Sequence, residues 1–397
     1  MTDYQSTVLG LISKALFNRI FIPSNTNWSK VLKEAQNQAV VQLAYSVLDL
    51  GLLSPEEAKA WKMAASVDIA NNIRIGHNHS LLHGWLEGIP YVILKGAASA
   101  SYYPTPSYRS MGDVDFLVKR EDLERVRKIL ESHGLKPWKE KHIRHIGYRG
   151  VRMHYEMHFI LAGTPDGAVG DLVREYTEDI FEKAQEKMVG TGSAMLPSSF
   201  HHGLILLLHT CHHLTGEGVG LRHLCDWAVF ENSFSEKEFC DLFEEKLKRI
   251  GLWRFAQILT RVSIKYLGAG ERIWAEADDE LADAFIEDIL DGGNFGVKDA
   301  ERSYQAYLIS SRGKNGVGKT SIGRQFFISL NNVVYTRWSF SKKWKVTLPI
   351  GWVYFGTKQI KKILKGKRKQ IHLRQMINGA KQRKKLYSRF YLFESET

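Results

Sequence analysis

Two aspartates separated by one residue begin a short apolar run in "SMGDVDFLV". They are Asp113 and Asp115, and Phe116, Leu117 and Val118 follow. Residues two apart on a strand project from one face, about 6–7 Å apart. Neighbouring carboxylates repel each other unless divalent cations bind between them, and Mg²⁺ prefers oxygen ligands of this kind. We therefore expect both aspartates to hold Mg²⁺ or Mn²⁺.

A third acid, Glu156, lies in the alternating run "VRMHYEMHFI". The apolar residues at odd positions predict a half-buried strand whose polar face carries Glu156 and His158. "HIRHIGYRG" is the expected hairpin partner, with a turn near Gly150. Three carboxylates suit a centre with two metal ions about 3.5–4 Å apart, which stabilises an in-line phosphoryl displacement.

Nucleotide-binding candidates precede the aspartates. Lys95 and Arg109 are cations that could neutralise a triphosphate. Gly96 begins "GAAS", where the N–H groups of a starting helix can bind phosphate. The expected phosphate contacts are therefore Lys95, Gly96 and Arg109.

The runs "VILKGAASASYYPTPSYRSMGDVDFLV", "ESHGL" and "MHYEMHFIL" resemble the uncharacterised bacterial nucleotidyltransferase family of the DNA polymerase beta superfamily. The resemblance implies a small mixed-sheet core in which Asp113 and Asp115 hold catalytic metals. Glu156 would be the third ligand or the general base. One departure is Lys95-Gly96, where the wider superfamily has Gly-Ser or Gly-Gly.

The expected activity is the metal-dependent transfer of a nucleoside monophosphate from an NTP to an acceptor hydroxyl or phosphate, with release of pyrophosphate. The acceptor is left open among small molecules, sugar phosphates, peptides or proteins, and RNA ends. His158 and His209 are candidates for the lining of its pocket.

The secondary structure expected to position these residues is helical at first, then mixed, and then helical again along the chain. Helical patterns precede residue 89, and in "SPEEAK" Ser54, Pro55 and Glu57 predict a helix start. Short strands are expected at 90–96 and 113–118, with a helix between 120 and 135 that Gly134 ends. Helices are expected again after about 165. The predicted fold is α+β, with regions 1–89 (helical), 90–165 (catalytic core), 166–291 (helical acceptor domain) and 292–397 (glycine-containing, then basic).

"GKNGVGKT", Gly313 to Thr320, matches the spacing of a phosphate-binding loop. Such a loop belongs to a parallel sheet with a strand that ends in a metal-binding Asp, and the residues that follow lack this strand. A phosphate-loop NTPase or kinase is therefore the less favoured alternative.

Histidines at helical spacing form a second open pattern. His209, His212 and His213 could share one helix face and bind zinc, although hydrogen-bonded histidines that line a pocket are favoured. Arg222 and Asp226, four residues apart, predict a helix ion pair.

Charge is concentrated in the C-terminal tail. The net charge is +12, and thirteen Lys or Arg without an acid lie between 358 and 389. This tail could contact anionic lipid or nucleic acid, and a non-catalytic nucleotide-binding or anionic-surface-binding protein is the second hypothesis.

Three cysteines in no metal spacing suit a reducing compartment. Apolar windows shorter than about 20 residues predict no transmembrane segment. We expect a cytoplasmic protein that is, at most, peripheral at a membrane.

Overall fold

The chain folds as a mixed α+β structure, as predicted. The computed structural model describes residues 1–23, 26–138, 144–150, 153–190, 192–309, 320–364 and 372–395. The α-helices of these residues are α1 (Asp3–Phe17), α2 (Trp28–Asn37), α3 (Val41–Tyr45), α4 (Pro55–Trp85), α5 (Ala97–Ala100), α6 (Leu123–Ser132), α7 (Ala168–Glu175), α8 (Ser199–Thr215), α9 (Leu221–Glu231), α10 (Glu236–Arg249), α11 (Trp253–Val262), α12 (Asp279–Gly292), α13 (Arg302–Ile309), α14 (Ile322–Arg337), α15 (Leu348–Leu364) and α16 (Leu373–Ser388).

The strands of the described residues form two separate sheets. They are β1 (Tyr91–Ile93), β2 (Val114–Val118), β3 (Lys136–Pro137), β4 (His145–Gly150), β5 (Met153–His158), β6 (Gln185–Val189) and β7 (Gly192–Leu196). The larger sheet has the order β1-β2-β5-β4-β3, and the smaller sheet is the β6–β7 hairpin. Strands β2 and β5 pair in parallel, whereas the other pairs of the larger sheet are antiparallel.

The alternating run folds as β5, and its predicted hairpin partner is β4. Met153, Tyr155 and Met157 are buried and His154 is exposed, as the alternation predicts. His158 differs, because it belongs to the polar face and is nevertheless buried. Residues 151–152, next to the predicted turn, lie outside the described residues.

The long helix α4 begins where the sequence predicts. Pro55 is its first residue, and Ser54 and Glu57 form a reciprocal cap. The Glu57 N–H donates to Ser54 Oγ at 3.2 Å, and the Ser54 N–H donates to Glu57 Oε2 at 3.1 Å. These bonds satisfy backbone donors that a helix start would otherwise leave unpaired.

One hairpin was not expected. Between 185 and 196, in a region predicted to be helical, β6 and β7 pair around a turn that contains Gly190, whose φ is +65°. The first four residues of β6 are exposed, so the strand lacks the apolar alternation that would reveal it. Helices α8 to α11 lie in the region after residue 165 that the sequence predicts to be helical, and α11 continues into a π-helical turn, Ser263–Leu267.

Two main hydrophobic cores support these elements. The smaller core packs the larger sheet against α4 and α6, with Phe116 and Tyr148 fully buried. The larger core is helical and joins α1–α3, α8–α12 and residues of α16. The C-terminal part of the basic tail is thus built into the fold, because Tyr387 and Phe390 are fully buried.

Two further expectations concern the phosphate loop and transmembrane segments. Residues 313–319 of the predicted phosphate loop lie outside the described residues, and only Thr320 of the motif is described. Among the helices that the structure describes, none has the length and apolar character that crossing a bilayer requires.

Candidate active site

The three acids meet at neighbouring strands. Asp113 directly precedes β2, Asp115 is the second residue of β2, and Glu156 lies on β5. The parallel register places Asp115 directly opposite Glu156. Carboxylate oxygens of the three residues lie within 4.8 Å of one another. We call Asp113, Asp115 and Glu156 the acidic centre.

Lys95 provides a cation to this centre. It follows β1 at a turn in which Gly96 has a φ of +65°, and its Nζ lies 3.1 Å from Asp115 Oδ2. Burial alone would lower the pKa of Lys95, but the charges of Asp115 and Asp113 raise it above its ordinary value. Lys95 is therefore held as an ammonium beside Asp115.

His158 and His145 contact carboxylates of the acidic centre. His158 Nε2 lies 3.1 Å from Asp115 Oδ1 and 3.5 Å from Glu156 Oε2. His145 Nε2 lies 3.7 Å from Glu156 Oε1. Burial opposes the charge of His158, yet its hydrogen bonds to Asp115 and Glu156 raise its pKa. His158 thus touches the acidic centre itself, and its contact with Asp115 explains why it is buried on a polar strand face.

The pKa values of the three acids are shifted in different directions: that of Asp113 is raised, and those of Asp115 and Glu156 are lowered. The charge of Asp115, followed by burial, raises the pKa of Asp113 to about 6. Burial would also raise the pKa of Asp115, but Lys95 and His158 hold it well below its usual range. Burial would raise the pKa of Glu156, but the hydrogen bond with His158 and the charges of His145 and His158 together lower it.

The acidic centre fits a divalent cation. Its donors are carboxylate oxygens, the ligands that Mg²⁺ prefers. The repulsion between Asp113 and Asp115 is the kind that a bound cation relieves. Both oxygens of Asp115 already contact Lys95 or His158, so a cation at Asp115 must share or replace one of these contacts.

Arg109 lies in the wall of the same pocket but is already paired. Its Nε and Nη2 donate to Asp226 Oδ1 and Oδ2, each at 2.7 Å, and the Tyr103 hydroxyl donates to Asp226 Oδ1 at 2.8 Å. The predicted helix pair between Arg222 and Asp226 is wrong for this reason. Both residues are described, and the carboxylate of Asp226 faces Arg109 instead of Arg222.

A histidine cluster forms another part of the pocket wall. It consists of His209 and His213 on α8 and His223 on α9, with ring nitrogens within 4.8 Å of one another. The Nε2 atoms of His209 and His213 are 2.9 Å apart. The predicted third member, His212, is exposed, and His223 stands in its place. Burial lowers the pKa of all three cluster histidines.

The acidic centre and the histidine cluster line one pocket of about 440 Å³. Sequence reasoning missed His145, Arg222, His223 and Asp226 as lining residues. The hairpin register carries a signal for His145, because it pairs directly with His158. No local signal marks Asp226, since its partner Arg109 lies 117 residues away in the chain.

The chain belongs to the uncharacterised nucleotidyltransferase family, whose model matches residues 24–268. The matched span contains the whole acidic centre, Lys95 and the histidine cluster. Comparison with curated proteins and with solved structures finds no match.

Proposed function

We propose that the protein is a metal-dependent nucleotidyltransferase that moves a nucleoside monophosphate from an NTP to an acceptor, releasing pyrophosphate. One observation carries the proposal. Asp113, Asp115 and Glu156 converge from two parallel strands beside Lys95, in a pocket large enough for a small ligand. Membership of the nucleotidyltransferase family supports it. We further propose that the larger sheet is a polymerase beta-like core.

Each residue of the centre has a separate part in the reaction. Divalent cations bound by the three acids would stabilise the attacking and leaving oxygens of the displacement. Lys95, which contacts Asp115, would neutralise phosphate oxygens of the nucleotide when a cation is bound at the acidic centre. His158 keeps Asp115 and Glu156 ionised and fixes their orientation. Arg109, tied to Asp226, holds the loop before β2 in place and lines the pocket.

The transfer follows from this arrangement. An acceptor oxygen attacks the α-phosphorus in line, a new P–O bond forms, and the bond to the bridging oxygen of pyrophosphate breaks. We assign to Glu156 the acceptance of the proton from an acceptor hydroxyl. A phosphate acceptor would need no base. The part of the pocket near His209 is where we place the acceptor.

Nucleotide binding tests this proposal before the acceptor is known. We would titrate each of the four NTPs with and without Mg²⁺ or Mn²⁺ and follow the unfolding midpoint, which rises when the folded state binds ligand. Wild type should show a metal-dependent shift with at least one NTP, and Asp115→Asn should lose it. A shift of equal size in Asp115→Asn would refute the acidic centre as the nucleotide site.

The same titration distinguishes our proposal from the phosphate-loop alternative. Lys319 belongs to the motif Gly313 to Thr320, most of which lies outside the described residues. Our proposal predicts that Lys319→Ala keeps the metal-dependent shift. Loss of the shift in Lys319→Ala alone would assign nucleotide binding to the loop.

Binding to an anionic membrane surface is a second candidate function, supported by an exposed apolar and basic segment. Between 339 and 354 the exposed side chains include Phe340, Trp344, Val346, Ile350, Val353 and Tyr354, interspersed with Lys342, Lys343 and Lys345. Exposed aromatic side chains beside lysines suit the interface of a bilayer that contains anionic lipid. In α16, by contrast, the exposed large apolar side chains are Leu373 and Ile377, whereas Met376, Ala380, Leu386 and Tyr387 pack in or against the core.

Vesicle sedimentation tests this second candidate. The full-length protein should bind vesicles that contain phosphatidylglycerol more tightly than vesicles of phosphatidylcholine alone. Trp344→Ala with Val346→Ser should reduce the binding. Ile273→Ser changes another highly exposed apolar side chain outside the segment and should have no effect. Equal binding by the double variant would remove the segment from consideration.

A further inference from the structure

Arg222 presents its guanidinium to the pocket without a carboxylate partner among the described residues. It is the second residue of α9, and Asp226, one turn later, pairs with Arg109. Arg222 Nη1 donates one long hydrogen bond of 3.4 Å to Ser110 O, and its Cζ lies 5.3 Å from the ring centroid of Phe295. Because a guanidinium has five N–H donors, most of them remain available to a ligand.

The neighbouring histidine adds a neutral donor. The Gly220 N–H donates to His223 Nδ1 at 3.3 Å, so a neutral His223 carries its proton on Nε2. His223 is only 5% exposed, and its Nε2 has no hydrogen-bond partner within the described part of the chain. Burial, reinforced by the charge of Arg222, keeps the pKa of His223 well below its ordinary value. Arg222 and His223 both line the pocket, and both contact Phe295, whose ring centroid lies 5.3 Å from Arg222 Cζ and 5.3 Å from the centroid of the His223 ring.

A metal ion is the competing occupant of the histidine cluster, and two features disfavour it. A histidine that binds metal through one nitrogen donates a proton from the other. In His223 the other nitrogen faces the Gly220 N–H, so two donors would oppose each other. In addition, the charges of Arg222 and Lys95 both act on the ring of His223 and repel a cation.

We propose that Arg222 and His223 form a subsite for a phosphate group, in the same pocket as the acidic centre but separate from it. The assignment rests on the proposed function, since the phosphate would belong to a molecule taking part in the transfer. Charge-assisted bonds from Arg to phosphate oxygens are strong and directional. The phosphate is either the terminal phosphate of the NTP or a phosphate carried by the acceptor.

Calorimetry with inorganic phosphate and pyrophosphate, in EDTA and without NTP, tests the subsite apart from the acidic centre. Wild type should bind at least one of these anions, and Asp113→Asn should bind it at least as tightly. Arg222→Gln should weaken binding about tenfold or more, and His223→Phe should weaken it less. Arg222→Lys keeps the charge and should retain part of the affinity. This variant is the control that distinguishes loss of the anion contact from a folding defect in Arg222→Gln.

Several results would overturn the subsite. They are no anion binding by wild type, or equal binding by wild type and Arg222→Gln. Stoichiometric Co²⁺ binding with visible absorption bands that His209→Ala abolishes would make the cluster a metal centre instead. If the anion binds as predicted but no NTP binds with metal, the subsite stands and the proposed transferase activity fails.

A second arm identifies the source of the phosphate. If Arg222→Gln weakens the binding of Mg-ATP but not that of Mg-AMP, the subsite holds the terminal phosphate of the NTP. If Arg222→Gln leaves Mg-ATP binding unchanged but removes phosphate binding from the NTP-saturated protein, the phosphate belongs to the acceptor. Either result supports the subsite.

Discussion

At the residue scale, the two aspartates of the acidic centre have opposite electrostatic surroundings. Asp115 contacts Lys95 at 3.1 Å and His158 at 3.1 Å, so its charge is compensated. Asp113 is partly buried, and the charge of Asp115 raises its pKa to about 6. The same substitution at the two positions should therefore have opposite effects on the cation-free protein.

We predict that Asp113→Asn in EDTA stabilises the fold at pH 7.5, by roughly 1–3 kcal/mol, because it removes a repelled charge. Asp115→Asn should destabilise the fold by about 3 kcal/mol, since Lys95 and His158 lose their partner. Urea unfolding measures both values. Both variants should lose metal-dependent NTP binding. Asp113→Asn should therefore be more stable than wild type and yet fail to bind the nucleotide. Equal destabilisation by the two variants would contradict this description of the centre.

At the element scale, the turn after β1 positions Lys95. Gly96 has φ +65° and ψ −102°, a conformation that is costly for residues with a Cβ. We predict that Gly96→Ala destabilises the protein by about 1–3 kcal/mol and weakens NTP binding. Gly84, inside α4 with open space around it, is the matched control. Gly84→Ala should be neutral or stabilise by up to about 1 kcal/mol in urea unfolding, because alanine favours a helix.

Helix α8 carries a buried neutral histidine that makes stability depend on pH. His202 stacks on Tyr102 with ring centroids 5.3 Å apart, and its ring nitrogens have no hydrogen-bond partner among the described residues. Burial lowers its pKa to about 3, whereas the unfolded chain has a histidine pKa of about 6.5. The contribution of neutral His202 is therefore complete above pH 6.5 and is lost as the pH falls toward 3.

We predict that His202→Phe flattens the dependence of stability on pH below 6.5 by about 1.4 kcal/mol per pH unit. Its stability at pH 7.5 should equal or exceed that of wild type, because two unpaired nitrogens leave the core. Chemical unfolding between pH 4.5 and 7.5 measures the slope. His77→Phe, at an exposed position of α4, is the control. A slope in His202→Phe identical to that of wild type would show that His202 is not a buried neutral group.

The elements that could be predicted from the sequence are those with local signals. Alternation identifies β5 and its partner β4, the Ser54 cap locates α4, and the run around Asp115 identifies β2. The β6–β7 hairpin has no such signal because most of β6 is exposed. Within the candidate site, the acids and Lys95 follow from types and spacing. The Arg109–Asp226 pair joins residues 117 positions apart, and His223 meets His209 and His213 through the packing of α9 on α8. Periodicity along one element encodes neither contact.

At the scale of the whole molecule, helix α16 of the basic tail is joined to the helical core. Arg383 on α16 is buried and donates to the backbone oxygens of Leu214 at 2.9 Å, Gly216 at 3.0 Å and Arg302 at 3.1 Å. It thereby joins α16 to the C-terminal end of α8 and to α13. A deletion of residues 358–397 would therefore remove part of the core and would not isolate a binding function.

We predict that Arg383→Ala destabilises the protein by roughly 2–5 kcal/mol, because several buried oxygens lose their donor. Lys381→Ala, which removes the same charge from an exposed position of α16, should change stability by less than about 0.5 kcal/mol. Thermal and urea unfolding compare the two variants. If both variants have the same small effect, α16 is not an integral part of the helical core.

Electron paramagnetic resonance of Mn²⁺ tests whether the three acids form a metal centre that receives a nucleotide. We would count bound Mn²⁺ per chain in the presence of each NTP. We predict that wild type binds up to two ions and that Asp113→Asn, Asp115→Asn and Glu156→Gln each bind fewer. Glu217→Gln changes a carboxylate of the same pocket outside the acidic centre and should bind as wild type does. Equal Mn²⁺ binding by wild type and all three acidic-centre variants, or no nucleotide-dependent binding by wild type, would contradict a nucleotide-receiving metal centre at these acids.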